Sequence, residues 1–263
     1  KDTSFMGIWS VLKNINVIKS NLKFCKSDIM HFSPDAVVLV DYPGFNLKIA
    51  EFAKSNGIKV FYYISPKVWA WNKNRISKIK KFIDHLIVIF PFEVDFFKKF
   101  GIEVSYVGNP IFDEINKKRY KLSAYSKKPI ISLLPGSRKQ EIETILPQML
   151  KVIDRFPNYQ FIIAGTNLFT PDYYNNMTGN KNVIVVYNET YALLDQSTAA
   201  LVTSGTASLE TALFKVPQVV CYKTNWITYF IAKSLIKIKF ISLVNILLKK
   251  SVVKELIRSK LNN

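Results

Sequence analysis

The chain has 263 residues, 49% of them hydrophobic, so it can bury one large core or two of ordinary domain size and is not disordered. Its 37 lysines and arginines against 19 aspartates and glutamates give a formal charge of +18, which favours nucleic acid, an anionic membrane surface or a phosphorylated substrate as partner. Cys25, Cys221, His31 and His85 are too scattered for a zinc site or a disulfide framework, so they argue against metal chemistry and for a reducing compartment.

Apolar runs and helical patterns alternate along the first half of the chain. The pattern predicts, in order, a strand at 35–43, a helix at 45–57, a strand at 58–66, a helix at 72–83, a strand at 85–90, a helix at 91–101 and a strand at 104–110. Continuous apolar strands separated by helices predict a parallel sheet covered on both faces.

A polar and strongly basic stretch at 112–129 has no clean periodicity and predicts a linker or a domain edge. The alternation then restarts. It predicts a strand at 130–137, a helix at 139–156, strands at 159–165 and 182–187, a helix at 190–197, a strand at 199–205, a helix at 206–215 and a strand at 218–222. We therefore expect an α/β protein with two doubly wound halves.

Ligands of such sheets bind at the carboxyl ends of the strands, where the loops converge. The predicted strand ends carry Asp41, Ser65, Asn109, Gly136, Ser137, Arg138, Ser204, Gly205 and Thr206. Two halves whose loop ends face a common cleft would form a two-substrate site.

Two strand-to-helix turns of the second half are candidate anion sites. Arg138 offers a planar fork of donors suited to phosphate oxygens, or it is a solvated arginine paired with Glu141 or Glu143. Ser204, Gly205 and Thr206 precede a helix whose free N–H groups favour an anion, and Glu210 could accept from a sugar hydroxyl. The alternative is that Thr206 is only an N-cap.

Three further features each leave two interpretations open. Asp41 is either a general base or a carboxylate that caps the following helix. Trp69 and Trp71 could contact a ligand, by stacking on a sugar or by lying at a lipid surface. The alternative is that they pack structurally, within the hydrophobic core and over it. The apolar stretch 225–248 is interrupted by lysines, so we expect it to lie on an anionic membrane surface or to form a buried helix pair, and not to span.

Six blocks of the sequence carry a resemblance to a known family. They are "DYPGFN", "YYISPKVWAWNKNRI", "VGNP", "LPGSRKQEIE", "TSGTASLETAL" and "SLVNILLKKSVVKELI". Their order and spacing resemble those of the lipid-A-disaccharide synthases, and "SPKVWAW" and "LPGSR" are the most specific blocks. The resemblance covers nearly the whole chain.

The resemblance implies a GT-B glycosyltransferase, with two Rossmann-like domains whose parallel sheets face a central cleft. It implies an acceptor-side domain at 1–118, a UDP-sugar domain at 119–245 and a helical segment at 246–263. The implied reaction joins UDP-2,3-diacylglucosamine to 2,3-diacylglucosamine 1-phosphate (lipid X), with inversion, giving a β-1,6-linked disaccharide 1-phosphate and UDP. No metal or other cofactor is implied, nor nucleic acid. The enzyme would work peripherally on the inner face of the Gram-negative cytoplasmic membrane.

The resemblance also assigns roles to individual residues. Asp41 would be the base for the acceptor 6-hydroxyl, and Arg138 would hold the UDP phosphates. The implied donor-binding residues are Gly136, Ser137, Arg138, Ser204, Gly205, Thr206, Glu210 and Asn245. The implied acceptor or lipid side consists of Ser65, Trp69, Trp71 and Asn109.

The chain also departs from the family pattern. It lacks the family's opening strand with its "GEASGD"-like loop, and the family's last helices, which return to the first domain, are cut after Leu261, so we expect a truncated version of the enzyme. Two alternatives remain. Another GT-B enzyme acting on a lipid-linked acceptor would share the donor turn but not "SPKVWAW". A non-catalytic binder of nucleic acid or other anionic surfaces would use the charge, although we find no nucleic-acid recognition module.

Overall fold

The computed structural model describes residues 14–69, 74–116, 120–123, 126–179, 181–223 and 240–257. Trp71 and most of the apolar stretch 225–248 lie outside these ranges. The chain divides into two compact units, Lys1–Pro110 (unit 1) and Ile111–Asn263 (unit 2). The sequence placed the boundary between 118 and 119, whereas the structure divides before Ile111.

Unit 1 is a parallel α/β sheet with strand order β1-β2-β3-β4. Its elements are α1 (Ile15–Phe32), β1 (Ala36–Val40), α2 (Pro43–Ser55), β2 (Lys59–Tyr63), α3 (Arg75–Phe82), β3 (His85–Val88), α4 (Pro91–Lys98) and β4 (Val104–Tyr106). Because the strands are parallel and neighbours in sequence are neighbours in the sheet, their carboxyl ends lie along one edge.

The core of unit 1 follows from the spacing of apolar residues. In α2, Leu47 and Ala50 lie one turn apart and are both buried against the sheet. In β1, Leu39 joins this core, while Val38 and Val40 on either side are 65% and 51% exposed. The two-residue period of the strand therefore fixes which of its faces meets the helices.

Unit 2 has a six-stranded parallel sheet with strand order β10-β9-β8-β5-β6-β7. Its elements are α5 (Pro110–Asn116, which begins at the last residue of unit 1), β5 (Ile130–Leu134), α6 (Lys139–Met149), a 3-10 helix (Leu150–Arg155), β6 (Gln160–Gly165), α7 (Pro171–Thr178), β7 (Val183–Tyr187), α8 (Thr190–Asp195), β8 (Ser197–Thr203), α9 (Thr206–Leu213), β9 (Gln218–Tyr222), α10 (Leu243–Leu248) and β10 (Lys254–Ile257). The central pair, β5 and β8, brings the loops that follow these two strands side by side.

Both faces of the unit 2 sheet are covered. Phe161 and Ile163 of β6 pack in one core with Leu146 of α6. Ile162, between them, packs in another core with Leu193 of α8. Successive residues of a strand point to opposite faces, so these two cores lie on opposite sides of the sheet. This is the doubly wound arrangement that the continuous apolar strands predict.

Three elements differ from the sequence prediction. The segment predicted as a linker begins with a helix, α5, and α7 was not predicted at all. The segment 246–263, predicted as helical, contains a strand, Lys254–Ile257, which pairs in parallel with β9. Among the described residues, no helix has the length and apolar character needed to cross a bilayer.

Candidate functional site

The loops after the four strands of unit 1 meet at one edge of its sheet. They carry Asp41 after β1, Ser65 after β2, Phe90 after β3 and Asn109 after β4. Asp41, Ser65 and Asn109 are predicted site residues. The sheet topology therefore places on one edge three residues that the sequence predicted at the ends of separate strands. Asn109 is only 5% exposed, and Ser65 only 2%.

Asp41 occupies an unusual backbone conformation. Asp41 and Tyr42 both have φ of +45°, and two successive non-glycine residues in the left-handed region are uncommon. Each such residue costs about 1–3 kcal/mol and persists only where its surroundings hold it there. The Asp41 carboxylate is exposed and accepts no hydrogen bond from any residue that the structure describes. The interpretation of Asp41 as a helix cap is therefore wrong, since Tyr42 occupies the N-cap position of α2.

The "SPKVW" loop is attached to the start of α4 through a buried carboxylate. Glu93, 1% exposed, accepts from the Ser65 hydroxyl at 2.6 Å and from Trp69 Nε1 at 3.1 Å. Its second oxygen accepts from the N–H groups of Ile89 and Phe90 at 3.3 and 3.0 Å. Ser65 and Trp69 therefore organise this loop, and their predicted contact with an acceptor lipid stays a prediction.

In unit 2 the turn between β5 and α6 requires glycine. Gly136 has φ of +111°, and a Cβ there would lie 2.6 Å from Oε2 of Glu141. Arg138 is the N-cap residue of α6 and donates from Nη1 to Oε1 of Glu141 at 2.7 Å. The arginine is thus paired with Glu141, as one of the two interpretations had it. Its other donors make no bond to the residues described here.

The neighbouring turn, after β8, is built on Gly205, which has φ of +147° and is the N-cap of α9. Thr206 is thus the first helical residue and not the N-cap, and its side chain forms a hydrogen bond with the Glu210 carboxyl. Burial raises the pKa of Glu210, while the bond from Thr206 acts in the opposite direction. Ser204 donates its hydroxyl to the Ile241 carbonyl at 3.1 Å.

A cavity of about 540 Å³ lies against Glu210 in unit 2. It is lined by Glu114, Tyr120, Lys121, Asn188, Glu189, Thr190, Tyr191, Ala192 and Glu210. Tyr191 stacks edge-on against Tyr120, with ring centroids 5.6 Å apart. Burial, with the charge of Glu210 next in size, raises the pKa of Tyr191 to about 12, so its phenol remains a hydrogen-bond donor at neutral pH.

Sequence reasoning missed the cavity residues other than Glu210. The available signal was the position of Asn188 and Thr190, which directly follow a predicted strand and begin a predicted helix. Asn188 also has φ of +58°, a conformation that asparagine adopts more readily than most residues. No periodicity, however, connects this loop with Tyr120, which lies in the segment predicted as a linker.

Asn245 is fully buried within a network of hydrogen bonds. Its Oδ1 accepts from the N–H groups of Val252 and Val253 at 2.7 and 2.9 Å, and its Nδ2 donates to Oε1 of Glu255 at 2.8 Å. Glu255 also accepts from the N–H of Ile241 at 3.1 Å. Because Ile241 in turn accepts from Ser204, Asn245 is linked to the donor-side turn through its neighbours, and direct contact with a nucleotide stays a prediction.

The two cysteines are unpaired, and Cys221 is buried at 4% exposure. Within the described ranges no three His, Cys, Asp or Glu side chains cluster in a way that could hold a metal ion.

Known proteins resemble this chain in sequence and in fold. The family model described as "Lipid-A-disaccharide synthetase" matches residues 1–263. The lipid-A-disaccharide synthase of Trichlorobacter lovleyi is 36% identical over 271 residues, which cover 98% of this chain and 71% of that protein. Lipid-A-disaccharide synthase 1 of Legionella pneumophila (strain Philadelphia 1) is 37% identical, covering 97% of this chain and 70% of that protein.

Among solved structures, the UDP-GlcNAc 2-epimerase of Neisseria meningitidis, bound to UDP-GlcNAc, is similar in fold. Its TM-score is 0.56 at 14% identity, over 94% of this chain and 74% of that one. The predicted fold class, α/β with two parallel-sheet Rossmann-like domains of the GT-B type, is confirmed. With the family model matched from the first residue to the last, the chain belongs to the lipid-A-disaccharide synthase family of glycosyltransferases.

Proposed function

We propose that this protein transfers 2,3-diacylglucosamine from its UDP ester to the 6-hydroxyl of 2,3-diacylglucosamine 1-phosphate. The acceptor oxygen attacks C1 of the donor as the bond from C1 to the phosphate oxygen breaks. The products are UDP and lipid A disaccharide 1-phosphate. Attack from the face opposite the departing UDP inverts the anomeric carbon and gives the β linkage. Family membership over the whole chain supports this reaction.

The observation that carries the proposal is the Asp41 carboxylate, exposed at the carboxyl edge of the unit 1 sheet in a strained conformation. Strained residues that expose a reactive group are typical of active sites. A hydroxyl is a weak nucleophile, so a base must accept its proton as the new bond forms. Asp41 is that base in our proposal, and the proton moves from the acceptor 6-hydroxyl to its carboxylate.

The leaving diphosphate would be held in unit 2 by the loops after β5 and β8. Arg138 at the start of α6 supplies charged donors. When UDP binds, its phosphate would replace the Glu141 carboxylate as the partner of the Arg138 guanidinium, which therefore stays paired. Backbone N–H groups and hydroxyls also lie at the ends of two adjacent strands, β5 and β8. They belong to Gly136, Ser137, Ser204, Gly205 and Thr206. Donors fixed in advance stabilise charge that develops on the leaving group.

The cavity beside Glu210 would take the uridine. Its volume of about 540 Å³ lies within the range of about 300–1,000 Å³ that is usual for small-molecule sites. Glu210 would accept hydrogen bonds from the ribose hydroxyls, and the Tyr191 ring would pack against the base. Asn245 would act by fixing the segment to which Ser204 is attached.

We also propose that the protein works on an anionic membrane surface, at the inner face of the cytoplasmic membrane. Both proposed substrates carry acyl chains, so they are held in a bilayer. The formal charge of +18 favours an anionic surface. Among the described residues, α3 contributes Lys78, Lys80 and Lys81, all exposed.

The test of this function is product formation from the two diacylglucosamine substrates in mixed micelles, with a metal chelator present. We expect UDP and disaccharide 1-phosphate in equal amounts. A 6-deoxy acceptor, which lacks the attacking oxygen but keeps the 1-phosphate and both acyl chains, should yield neither. UDP release at the same rate with the 6-deoxy acceptor would indicate hydrolysis of the donor and overturn the proposal.

A further inference from the structure

The turn after β1 is held by two side chains from different elements. Asn46, one turn into α2, donates from Nδ2 to the carbonyl of Val40 at 3.0 Å and to that of Asp41 at 2.8 Å. Tyr62, in β2, donates its hydroxyl to the same Asp41 carbonyl at 2.5 Å. The Asp41 N–H donates to the carbonyl of Tyr63 at 3.0 Å. The backbone of Asp41 is thus bound at both its N–H and its C=O.

These bonds hold the Asp41 backbone, and none of them involves the Asp41 carboxylate. The left-handed conformation of Asp41 and Tyr42 is disfavoured for side chains with a Cβ, so it persists only where other contacts determine it. Both side-chain donors bind the carbonyl of the peptide group that joins Asp41 to Tyr42. The orientation of this peptide group depends on the ψ angle of Asp41 and on the φ angle of Tyr42. Changing either angle would break these bonds and turn the carboxylate away from its present direction.

Tyr62 is suited to this part because it is fully buried and keeps its proton. Burial, followed by the negative charge of Asp41, raises the pKa of the Tyr62 phenol well above its ordinary value, while the Arg75 charge opposes the shift. The hydroxyl is therefore a donor throughout the neutral range.

We propose that Asn46 and Tyr62 are positioning residues for the glycosyl transfer: they hold the Asp41 backbone so that its carboxylate faces the acceptor hydroxyl. This inference rests on the proposed function, in which Asp41 is the base. Neither residue touches the reacting atoms. Their effect on the reaction must pass through Asp41, and this dependence can be measured.

The experiment compares Asn46→Ala and Tyr62→Phe in the full chain, each alone and each combined with Asp41→Asn. Asparagine is the suitable replacement because it tolerates the left-handed conformation. We expect each single variant to lower kcat by about 10- to 100-fold, the size expected for a small misplacement of a catalytic group. The KM for the UDP donor should change by less than about twofold, since binding of the donor is untouched.

Two control variants each lose a hydrogen bond between a side chain and the backbone elsewhere in the protein. Asn56→Ala removes an amide that donates to the Phe52 carbonyl at 2.8 Å, at the other end of α2. Tyr174→Phe removes a fully buried phenol oxygen of unit 2, which accepts from the Thr166 N–H at 3.1 Å. Both should keep kcat within about twofold. Thermal unfolding of every variant shows whether it is folded; if Asn46→Ala is not, Tyr62→Phe, which loses one oxygen atom, still carries the test.

The double variants decide the outcome. If Asn46 and Tyr62 act through Asp41, adding either change to Asp41→Asn should lower kcat no further. Losses that multiply in the Asp41→Asn background, or single variants with unchanged kcat beside an impaired Asp41→Asn, would overturn this inference alone. Full activity of Asp41→Asn by itself would overturn instead the proposed role of Asp41 as base.

Discussion

Burial of ionised Glu210 lowers the stability of the folded protein, and its proposed role in binding UDP explains why a carboxylate lies there. Burial raises its pKa above the ordinary value of 4.5. The native state therefore holds this proton to higher pH than the unfolded chain does. As pH rises from 4.5 through the raised pKa, the unfolded chain ionises first, so native stability falls across that window. A carboxylate kept here at neutral pH is better explained by a ligand than by stability.

We predict that Glu210→Gln stabilises the protein at pH 7 and weakens UDP binding. The gain should appear as a higher unfolding midpoint at pH 7 and should disappear near pH 4, where the wild-type carboxyl is protonated. Thermal scans at both pH values and a UDP titration measure these effects. Asp195→Asn, an exposed carboxylate of unit 2, is the control and should change neither. An equal gain at both pH values would contradict the assigned burial effect.

At the residue scale, sequence alone located the strand ends but not the backbone conformation or the hydrogen bonds of the residues there. The break at Pro135-Gly136 before a charged helix was readable because glycine and proline interrupt the pattern. The strained turn at Asp41 was not readable, since neither Asp41 nor Tyr42 is a glycine and one of the side chains that hold the turn, Tyr62, lies in another strand. Contacts between elements of this kind are absent from any local pattern.

At the scale of elements, Glu93 holds the "SPKVW" loop to α4. Its carboxylate is buried, all four of its hydrogen-bond donors are neutral, and it lies in the first turn of the helix, where N–H groups favour negative charge. Removing it leaves a hydroxyl, an indole N–H and two backbone N–H groups without their acceptor. Each buried unpaired group costs about 1–3 kcal/mol.

We therefore predict that Glu93→Ala lowers the free energy of unfolding by roughly 2–4 kcal/mol, after partial rearrangement. Urea titration followed by circular dichroism measures it. Asp95→Ala, at an exposed position of the same helix, should stay within about 0.5 kcal/mol of the parent protein. Equal stability of the two variants would show that the Glu93 bonds contribute nothing to the fold.

Element prediction succeeded where the local pattern was strong and failed where long-range pairing decides. The strands β5 and β6 were predicted because burial on both faces leaves an uninterrupted hydrophobic run. The strand β1 was predicted from a similar apolar run, although Val38 and Val40 on one of its faces are exposed. Residues 254–257 are a strand because they pair with β9, which the short run "KELI" cannot reveal. The sequence does carry a local signal for α7: Thr170 is its N-cap, followed by Pro171 at the first helical position.

At the scale of the whole molecule, the charge of +18 should make membrane binding depend on lipid charge. We predict that the protein floats with vesicles containing phosphatidylglycerol and not with pure phosphatidylcholine vesicles. About 1 M salt shortens the screening length to about 3 Å, so it should remove most of the binding. Equal binding to both kinds of vesicle, or tight binding of duplex DNA with no vesicle binding, would contradict a role on anionic membranes.

The central claim is that this chain transfers a sugar while its own side chains carry the charge of the departing UDP. The most direct measurement is kcat for disaccharide formation by Arg138→Ala beside Lys139→Ala, the neighbouring cation, whose ammonium lies 3.8 Å from the Glu143 carboxylate. We predict a loss of about 10²- to 10³-fold for Arg138→Ala, the usual effect of removing one donor to developing charge, and about twofold at most for Lys139→Ala. If Arg138→Ala turned over as fast as the parent protein, the leaving group would be stabilised elsewhere and the account of this site would be wrong.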